Sequence, residues 1–177
     1  MTVAGMYFLK NKPELLERRM RYREKEPGQK KLVPVARVIF LAGIAAIIAD
    51  MHYSWSTVPV WAVLAADAIS LAGYSLVFWV FKENPWSSRI IEVEPDQQLV
   101  TIGPYAVIRY PMYLGSITMV LALPVALGVW YPVWAFVLYA GLIVRRINGE
   151  EAFLKINLPG YEIYCRRVQY RLLPGIW

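Results

Sequence analysis

The segment 103–115, GPYAVIRYPMYLG, places an arginine and tyrosines at the start of an apolar run. Its Gly-Pro pair indicates a turn, because Gly tolerates positive φ and Pro fixes its own φ. Pro111 is favoured in the first turn of a helix, where the N–H that it lacks would have no partner. The pattern therefore predicts Arg109, Tyr110 and Tyr113 at a helix N-terminus, where an anionic or zwitterionic ligand could bind.

Two further groups of residues could act together with this segment. Glu150 and Glu151 stand near the end of a helical pattern, and residues 160–177, GYEIYCRRVQYRLLPGIW, are polar and aromatic. Arg146 and Glu150 are four residues apart and share a helix face, whereas Glu151 lies about 100° further around the helix. The non-catalytic alternatives are a headgroup-level anchor for the arginine and tyrosines, and a solvated helix face for the glutamates.

The composition limits the kind of protein that could carry these groups. Hydrophobic residues make up 58% of the 177 residues, aromatic residues 14% and charged residues only 18%, which is typical of a membrane protein. One cysteine, Cys165, excludes an intrachain disulfide, and a single histidine, His52, argues against a zinc centre, so we expect no metal. The apolar N-terminal residues lack a basic region and a cleavage site, so no signal peptide is expected.

Four apolar runs predict membrane-spanning helices, at residues 33–55, 58–81, 112–130 and 133–144, and the first two are long enough to span by themselves. About 20 residues cross a hydrocarbon core of roughly 30 Å. Pro124 would kink the third helix without ending it. The helical pattern of the fourth run continues to about Asn157. The sequence therefore predicts an all-α, polytopic transmembrane bundle of about four spans.

The remaining segments predict a single membrane-embedded domain, 1–177, with its polar parts on one side. Asn11 as N-cap and Pro13 in the first turn predict an amphipathic surface helix to Glu26, ended by Pro27-Gly28. The expected division is a cytoplasmic amphipathic part (1–32), spans one and two (33–81), a cytoplasmic connector and signature (82–111), spans three and four (112–144), and a cytoplasmic helix and tail that bind the cofactor (145–177).

The basic residues support this topology. None of the 19 Lys and Arg residues falls in the connections 54–59 and 128–132, so the positive-inside rule predicts cytoplasmic termini and a cytoplasmic site. The net charge of +6 then reflects topology, and no nucleic-acid partner is needed. An aromatic belt is expected at the opposite membrane face, formed by Trp55, Trp61, Trp130, Tyr131 and Trp134.

Taken together, the three groups resemble the isoprenylcysteine carboxyl methyltransferase family, which shares its cofactor half with membrane phospholipid methyltransferases. Residues 103–115 are similar to the family signature G-P-Y-x-x-x-R-H/Y/N-P-x-Y-x-G, and residues 84–100 to the preceding connector. Glu150 and Glu151 match the paired glutamates of the family. Residues 160–177 match its closing G-Y-x-x-Y-x-x-x-V-x-x-R-L-I/L-P-G-x-W.

This resemblance implies an integral membrane enzyme that uses S-adenosylmethionine without a Rossmann domain and releases S-adenosylhomocysteine. By position, the cofactor-binding residues would be Tyr105, Tyr110, Pro111, Tyr113, Leu114, Glu150, Glu151 and Tyr161. Among these, Glu151 would bind the ribose hydroxyls or the amino group. Arg109 or Arg171 would orient the acceptor, and Glu150 is a further candidate catalytic residue. Tyr110 stands where the family usually has His, so a proton-carrying role is not expected there.

The expected reaction is carboxyl O-methylation of a lipophilic, isoprenylcysteine-like acceptor that reaches the site from the bilayer of a prokaryotic cell membrane. Two alternatives stay open: a phospholipid or other lipid N-methyltransferase, and a non-catalytic membrane scaffold. The natural acceptor and the oligomeric state are not decided by the sequence. Asp67, in the middle of the second run, is expected to form a hydrogen bond between helices, and His52 to lie at the interface.

Overall fold

The computed structural model describes residues 3–20 and 27–177, and all regular structure in these ranges is helical. The helices are α1 (Val3–Asn11), α2 (Pro13–Met20), α3 (Pro27–Lys30), α4 (Leu32–Tyr53), α5 (Val60–Glu83), α6 (Pro111–Ala126), α7 (Val133–Asn157) and α8 (Tyr161–Arg167), with a 3₁₀ turn at Gly103–Ala106. The prediction of an all-α fold is confirmed for the described part of the chain.

Two helices, α4 with 22 residues and α5 with 24, are long and apolar enough to cross a membrane. Helix α6 has 16 residues and would extend about 24 Å, which is shorter than a hydrocarbon core of roughly 30 Å. In α7 only residues 133–144 are continuously apolar, and the charged half, residues 145–157, continues beyond them. Four spans therefore remain a prediction, and the first two have the length and composition that it requires.

Helices α5 and α6 approach each other most closely at a pair of glycines. A Cβ on Gly115 would lie 2.7 Å from the carbonyl oxygen of Gly73, and a Cβ on Gly73 would lie 2.8 Å from that of Gly115. Small residues permit this backbone contact, which is a common way of packing membrane helices. Helix α6 also packs against α7, and α7 packs against α4, so the long helices form the row α5, α6, α7, α4.

The end of the bundle opposite the charged half of α7 is held by one aromatic contact and one polar contact. Phe136 of α7 is fully buried and packs against Gly43 of α4. Asp50, also fully buried, accepts hydrogen bonds from the amide (2.8 Å) and hydroxyl (2.6 Å) of Ser56. The amide of Trp130 donates to the same hydroxyl oxygen at 3.1 Å. These hydrogen bonds join the α4–α5 connection to the α6–α7 connection.

The predicted aromatic belt lies at this same end. Trp55 stacks on Tyr53 with ring centroids 5.3 Å apart and contacts Tyr131 edge-on at 6.2 Å. Their rings are exposed, as expected for side chains at a membrane interface. Asp67 differs from expectation, because its side chain is exposed on α5 and forms no hydrogen bond with another described residue. Asp50 is the carboxylate that is buried in the bundle.

The N-terminal part also differs from the sequence prediction. Asn11 ends α1 and its side chain bonds back to the carbonyl of Tyr7, so it is not the N-cap of a helix that runs through Pro13. Helix α1 packs on α5 through Phe8, whose ring lies 5.2 Å from that of Phe78. The predicted continuation through residues 21–26 lies outside the described residues. Pro27 begins the short helix α3, and the predicted end of the preceding helix stays a prediction.

Between α5 and the 3₁₀ turn, residues 84–102 form a connector without helix or strand, as the sequence predicted. After α7, Gly160 has a φ of 81°, a left-handed conformation that favours glycine, and it reverses the chain. Helix α8 follows, where the sequence analysis expected only an irregular tail. Its buried Tyr161 and Tyr164 pack with Leu158 and Val168 and against Leu99 of the connector.

Candidate functional site

A polar cavity lies at the end of the bundle where the charged half of α7 projects. The connector, the 3₁₀ turn, the start of α6, α7 and α8 enclose about 110 Å³ of free space. The side chains that border it are mainly aromatic, polar or charged. They include Asn84, Trp86, Ser87, Tyr105, Arg109, Tyr110, Met112, Tyr113, Arg146, Glu150, Tyr161 and Tyr164.

The start of α6 is fixed by the closing segment, residues 168–177. Pro111 occupies the first position of α6, as predicted, and is fully buried. The two residues before it pair with the closing segment through their backbones. Arg109 N–H donates to the carbonyl of Tyr170 at 3.0 Å, and Tyr110 N–H donates to that of Arg171 at 2.9 Å. The helix N-terminus and the closing segment therefore form one rigid wall.

Behind this wall, Glu151 is the centre of a buried ion cluster. Its Oε2 accepts from Arg109 Nη2 at 3.0 Å and from Arg171 Nε at 2.8 Å, and its Oε1 accepts from Arg171 Nη2 at 3.0 Å. Lys155 Nζ lies 3.0 Å from the same Oε1. Burial opposes ionisation of Glu151, but the hydrogen bonds from Arg171 and Lys155 and the charge of Arg109 outweigh it and bring the pKa to about 2.

Arg109 also donates hydrogen bonds to the backbone of the closing segment. Its Nη1 donates to the carbonyls of Val168 at 2.6 Å and Gln169 at 3.0 Å, and its Nε has no hydrogen-bond partner among the described residues. The guanidinium of Arg171 also lies over the ring of Trp177, 4.9 Å from its centroid. Both arginines thus hold Glu151 and the closing segment together, and a ligand would have to compete with these contacts.

A second polar group faces the cavity. The hydroxyl of Tyr113 donates to Glu150 Oε2 at 2.6 Å and accepts from Arg146 Nε at 3.0 Å. Arg146 also donates through Nη2 to the carbonyl of Arg89 at 3.1 Å, which links α7 to the connector. Arg146 and Glu150, which the sequence predicts on one helix face, therefore both contact the hydroxyl of Tyr113.

Neutral tyrosines form the rest of the wall. The hydroxyls of Tyr110 and Tyr161 are 2.9 Å apart, Asn84 donates to the hydroxyl of Tyr105 at 2.9 Å, and Tyr164 donates to the carbonyl of Tyr105 at 2.7 Å. Burial raises the pKa of Tyr105 to about 12 and raises the pKa values of Tyr110, Tyr161 and Tyr164 well above the ordinary value. Tyr110, at the position usual for His, is therefore a neutral hydrogen-bonding group.

A groove of about 390 Å³ lies next to the cavity, between α4, α5, α6 and α7. Its floor is mostly apolar, and its lining includes Val33, Phe40, Val77, Phe81, Tyr139, Leu142 and Ile143. Four arginines line it as well: Arg19, Arg37, Arg89 and Arg146. Ser88, Met112, Tyr113 and Arg146 border both the groove and the cavity, so the two spaces meet at these side chains.

The structure divides the residues predicted for the site into two sets. Bordering the cavity are Tyr105, Arg109, Tyr110, Tyr113, Glu150 and Tyr161, whereas Pro111, Leu114, Glu151 and Arg171 lie outside its lining. Leu114 belongs to the apolar cluster around Ile143 and Ile147. Sequence reasoning noted the spacing of Arg146 and Glu150 but gave Arg146 no role in the site. It also gave no role to Asn84, which lies in the connector matched to the family, or to Met112, which stands at an unspecified position of the signature.

These features define a helical membrane protein with a polar cavity that adjoins a mostly apolar groove. The profile of the isoprenylcysteine carboxyl methyltransferase (ICMT) family matches residues 66–156, just over half of the chain, and the chain belongs to this family. A solved structure titled as the eukaryotic intramembrane Ras methyltransferase ICMT superposes with a TM-score of 0.61 at 18% identity, covering 97% of this chain and 63% of that one. The superposition shows that the two proteins share a helical fold.

Two curated relatives carry a different activity in their names. The Delta(14)-sterol reductase TM7SF2 of Mus musculus is 30% identical over 105 residues, which are 55% of this chain and 25% of that protein. The Delta(14)-sterol reductase of Methylotuvimicrobium alcaliphilum is 25% identical over 134 residues, 67% of this chain and 31% of that protein. The chain thus spans about a quarter to a third of these relatives.

Proposed function

We propose that this protein transfers a methyl group from S-adenosylmethionine to the carboxylate of a lipophilic acceptor, such as an isoprenylcysteine-like molecule. The observation that carries the proposal is the junction of the two spaces. The polar cavity and the arginine-lined apolar groove share Ser88, Met112, Tyr113 and Arg146. A cofactor from the aqueous side and an acceptor from the bilayer could meet at this junction.

The cavity has the chemistry that the cofactor requires. Two carboxylates line the cavity, Glu92 of the connector and Glu150 of α7. Glu150 would bind the ribose hydroxyls or the amino group, a role that the family resemblance had suggested for Glu151. The neutral tyrosines offer aromatic faces and hydroxyls without placing a second negative charge beside it. Its free space of about 110 Å³ is smaller than typical ligand pockets of roughly 300–1,000 Å³. Binding therefore requires the connector to move outward.

Arg146 would orient the acceptor. It stands at the junction, whereas Arg109 and Arg171 are engaged with Glu151 and would act by holding the wall. S-adenosylmethionine, when bound, supplies an electrophilic methyl group on a sulfonium. An acceptor carboxylate needs no general base, so the protein has to align it and exclude water. The buried aromatic wall and the guanidinium of Arg146 supply these two functions.

A second candidate is reduction of a sterol-like molecule, favoured by the names of the two curated relatives. It would require a nicotinamide cofactor in the same cavity. Lipid N-methylation is a weaker candidate, because the four arginines along the groove disfavour a cationic headgroup. In a non-catalytic scaffold, Glu150, Tyr113 and Arg146 would border the cavity without binding a ligand there.

The test is calorimetric titration of S-adenosylmethionine and of NADPH into detergent-purified protein. We expect micromolar binding of S-adenosylmethionine, weakened about tenfold or more in Glu150→Gln because a charge-assisted hydrogen bond is lost. Glu162→Gln is the matched control, since Glu162 pairs with Arg166 on the exposed side of α8. Binding of NADPH alone would favour the reductase, and no binding of either by folded protein would favour the scaffold.

The acceptor atom is identified by transfer of radiolabelled methyl into candidate lipids. A methyl ester releases volatile methanol in base, whereas an N-methyl group is retained. We expect base-labile label, and we expect Arg146→Gln to lose most of the transfer while S-adenosylmethionine still binds. Base-stable label would show that the acceptor is an amine and would contradict carboxylate methylation.

A further inference from the structure

Residues 171–177 form a loop, here called the closing loop, in which five of the six amides donate within the loop. The amides of residues 171–173 all donate to the backbone oxygen of Trp177, at 3.0 to 3.2 Å. The amides of Ile176 and Trp177 donate to the carbonyl of Leu173, and Pro174 has no amide hydrogen. The carbonyls of residues 172 and 174–176 accept no backbone hydrogen bond from the described residues, so the backbone of the loop suits hydrated headgroups and not the hydrocarbon core.

The closing loop lies beside the apolar part of the bundle. Leu172 is buried in one cluster with Ile143, and Trp177 packs against that cluster together with Leu114 and Ile117. Ile117 is six residues into α6, about 9 Å along the helix axis from Pro111. The cluster therefore reaches the depth at which α6 and α7 present continuous apolar sequence.

The outward side of the loop is apolar. Leu173 is 45% exposed and Ile176 is 78% exposed, while Leu172 and Trp177 turn inward. Just before the loop, Arg166 and Arg167 at the end of α8 are exposed. This arrangement is typical of a protein surface at a bilayer interface. Apolar side chains there contact the acyl chains, and arginines contact the anionic headgroups.

We infer that the closing loop lies at the bilayer interface, with its backbone at the headgroup level, the side chains of Leu173 and Ile176 reaching the acyl chains, and Arg166 and Arg167 at anionic phospholipid headgroups. The occupant of this surface is lipid, because exposed apolar side chains stand directly beside exposed arginines. This inference does not depend on methyl transfer. It makes Arg171, the first residue of the loop, a connection between the lipid surface and the buried Glu151.

Site-directed spin labelling tests this interfacial placement. In a Cys165→Ser background, which has no other cysteine, a nitroxide is placed at Ile176→Cys. The protein is reconstituted into vesicles of phosphatidylcholine with phosphatidylglycerol. Leu64→Cys, on the exposed face of α5, is the control for lipid, and Arg166→Cys, on a side chain that is 80% exposed, is the control for the headgroup edge and water.

We expect the label at Ile176→Cys to relax faster with oxygen than with a water-soluble nickel chelate, as at Leu64→Cys. Leu173→Cys should behave in the same way and provides an independent position if one label disturbs the loop. Nickel accessibility equal to that at Arg166→Cys would place the loop in water and overturn the inference. Low accessibility to both reagents with spin–spin broadening would mean that a second copy of the chain covers the loop, which overturns it equally.

Discussion

Arg171 holds Glu151 at two points, with Nε 2.8 Å from Oε2 and Nη2 3.0 Å from Oε1. This side-by-side geometry matches the planar guanidinium to the planar carboxylate and is stronger than a single contact. Because Arg109 approaches the same Oε2, one carboxylate joins α7, the residues before α6 and the closing segment. Glu151 is therefore the structural centre of the site, and of the two glutamates on α7, Glu150 is the one that faces the cavity.

Replacing Glu151 by Gln should destabilise the protein by about 3–5 kcal/mol, because it leaves Arg109 buried without a counter-charge. Thermal unfolding in detergent, followed by far-UV circular dichroism, measures the change. Glu162→Gln removes an exposed ion pair on α8 and should cost less than about 1 kcal/mol. Equal losses in the two variants would show that the buried cluster contributes no more than a surface pair.

The same cluster should make stability depend on pH at the acid end. The pKa of Glu151 falls from its ordinary 4.5 to about 2 in the folded protein. A depressed pKa adds stability above the unfolded value, and this stability is lost as the pH falls from about 4.5 toward 2. Melting temperatures measured across this range should fall more steeply for the wild type than for Glu151→Gln. Parallel curves would contradict the assignment.

Gly115→Ala should destabilise the contact between α5 and α6 by about 1–3 kcal/mol, because its Cβ would lie 2.7 Å from the carbonyl oxygen of Gly73. The helices would have to separate to make room. Gly141→Ala on α7 is the matched control, since its Cβ meets no atom within 4 Å, and it should stabilise the helix by up to about 1 kcal/mol. Thermal unfolding of both variants measures the difference, and effects of the same sign would contradict it.

Ser56→Ala should destabilise the opposite end of the bundle by about 1–3 kcal/mol. It removes one of the hydrogen bonds to the buried Asp50 and the acceptor of the Trp130 amide. Thr57→Ala, one residue along and exposed, should change stability by no more than about 0.5 kcal/mol. Unfolding by denaturant in detergent compares the two. A neutral Ser56→Ala would show that water replaces these contacts at no cost.

Arg18→Ala should loosen the connector. Its guanidinium bonds both oxygens of Glu94, at 3.1 and 3.0 Å, donates to the carbonyl of Pro85 and lies over the ring of Trp86. Amide hydrogen exchange should therefore become faster in residues 85–94 and stay unchanged in α6 and α7. In the proposed function the connector moves outward to admit the cofactor, so S-adenosylmethionine should also bind faster. Unchanged exchange would show that other contacts hold the connector.

Much of the fold could be predicted from hydrophobic pattern and special residues. The apolar runs predicted the bounds of α4 and α5 closely, because a long charge-free segment has few alternatives to a helix. Pro111 marked the start of α6, and the turn after residue 157 ended α7 at the predicted position. Helices α1 and α8 were missed. Both are short and are stabilised by packing, α1 through Phe8 on α5 and α8 through Tyr161 and Tyr164 under the connector.

The sequence named six of the residues that border the cavity but did not indicate how the two glutamates divide between the cavity and the interior. Adjacent glutamates point about 100° apart, and only the arrival of Arg109 and Arg171 decides that Glu151 faces the interior. No local signal carries that information, because the three residues are 20 or more positions apart. Arg146 likewise gained its place at the junction from Tyr113 on another helix. Tyr110 could replace His because a second hydroxyl, that of Tyr161, lies 2.9 Å away.

The pairing of Glu151 with Arg171 also has a consequence for biosynthesis. A ribosome completes α6 and α7 before Arg171 is made, so the nascent chain carries Glu151 without its two-point partner for a time. Arg109 and Lys155 are already present and can hold the carboxylate provisionally. The wall of the cavity closes only when residues 168–177 dock on Arg109, Tyr110 and Glu151, so ligand binding depends on that docking.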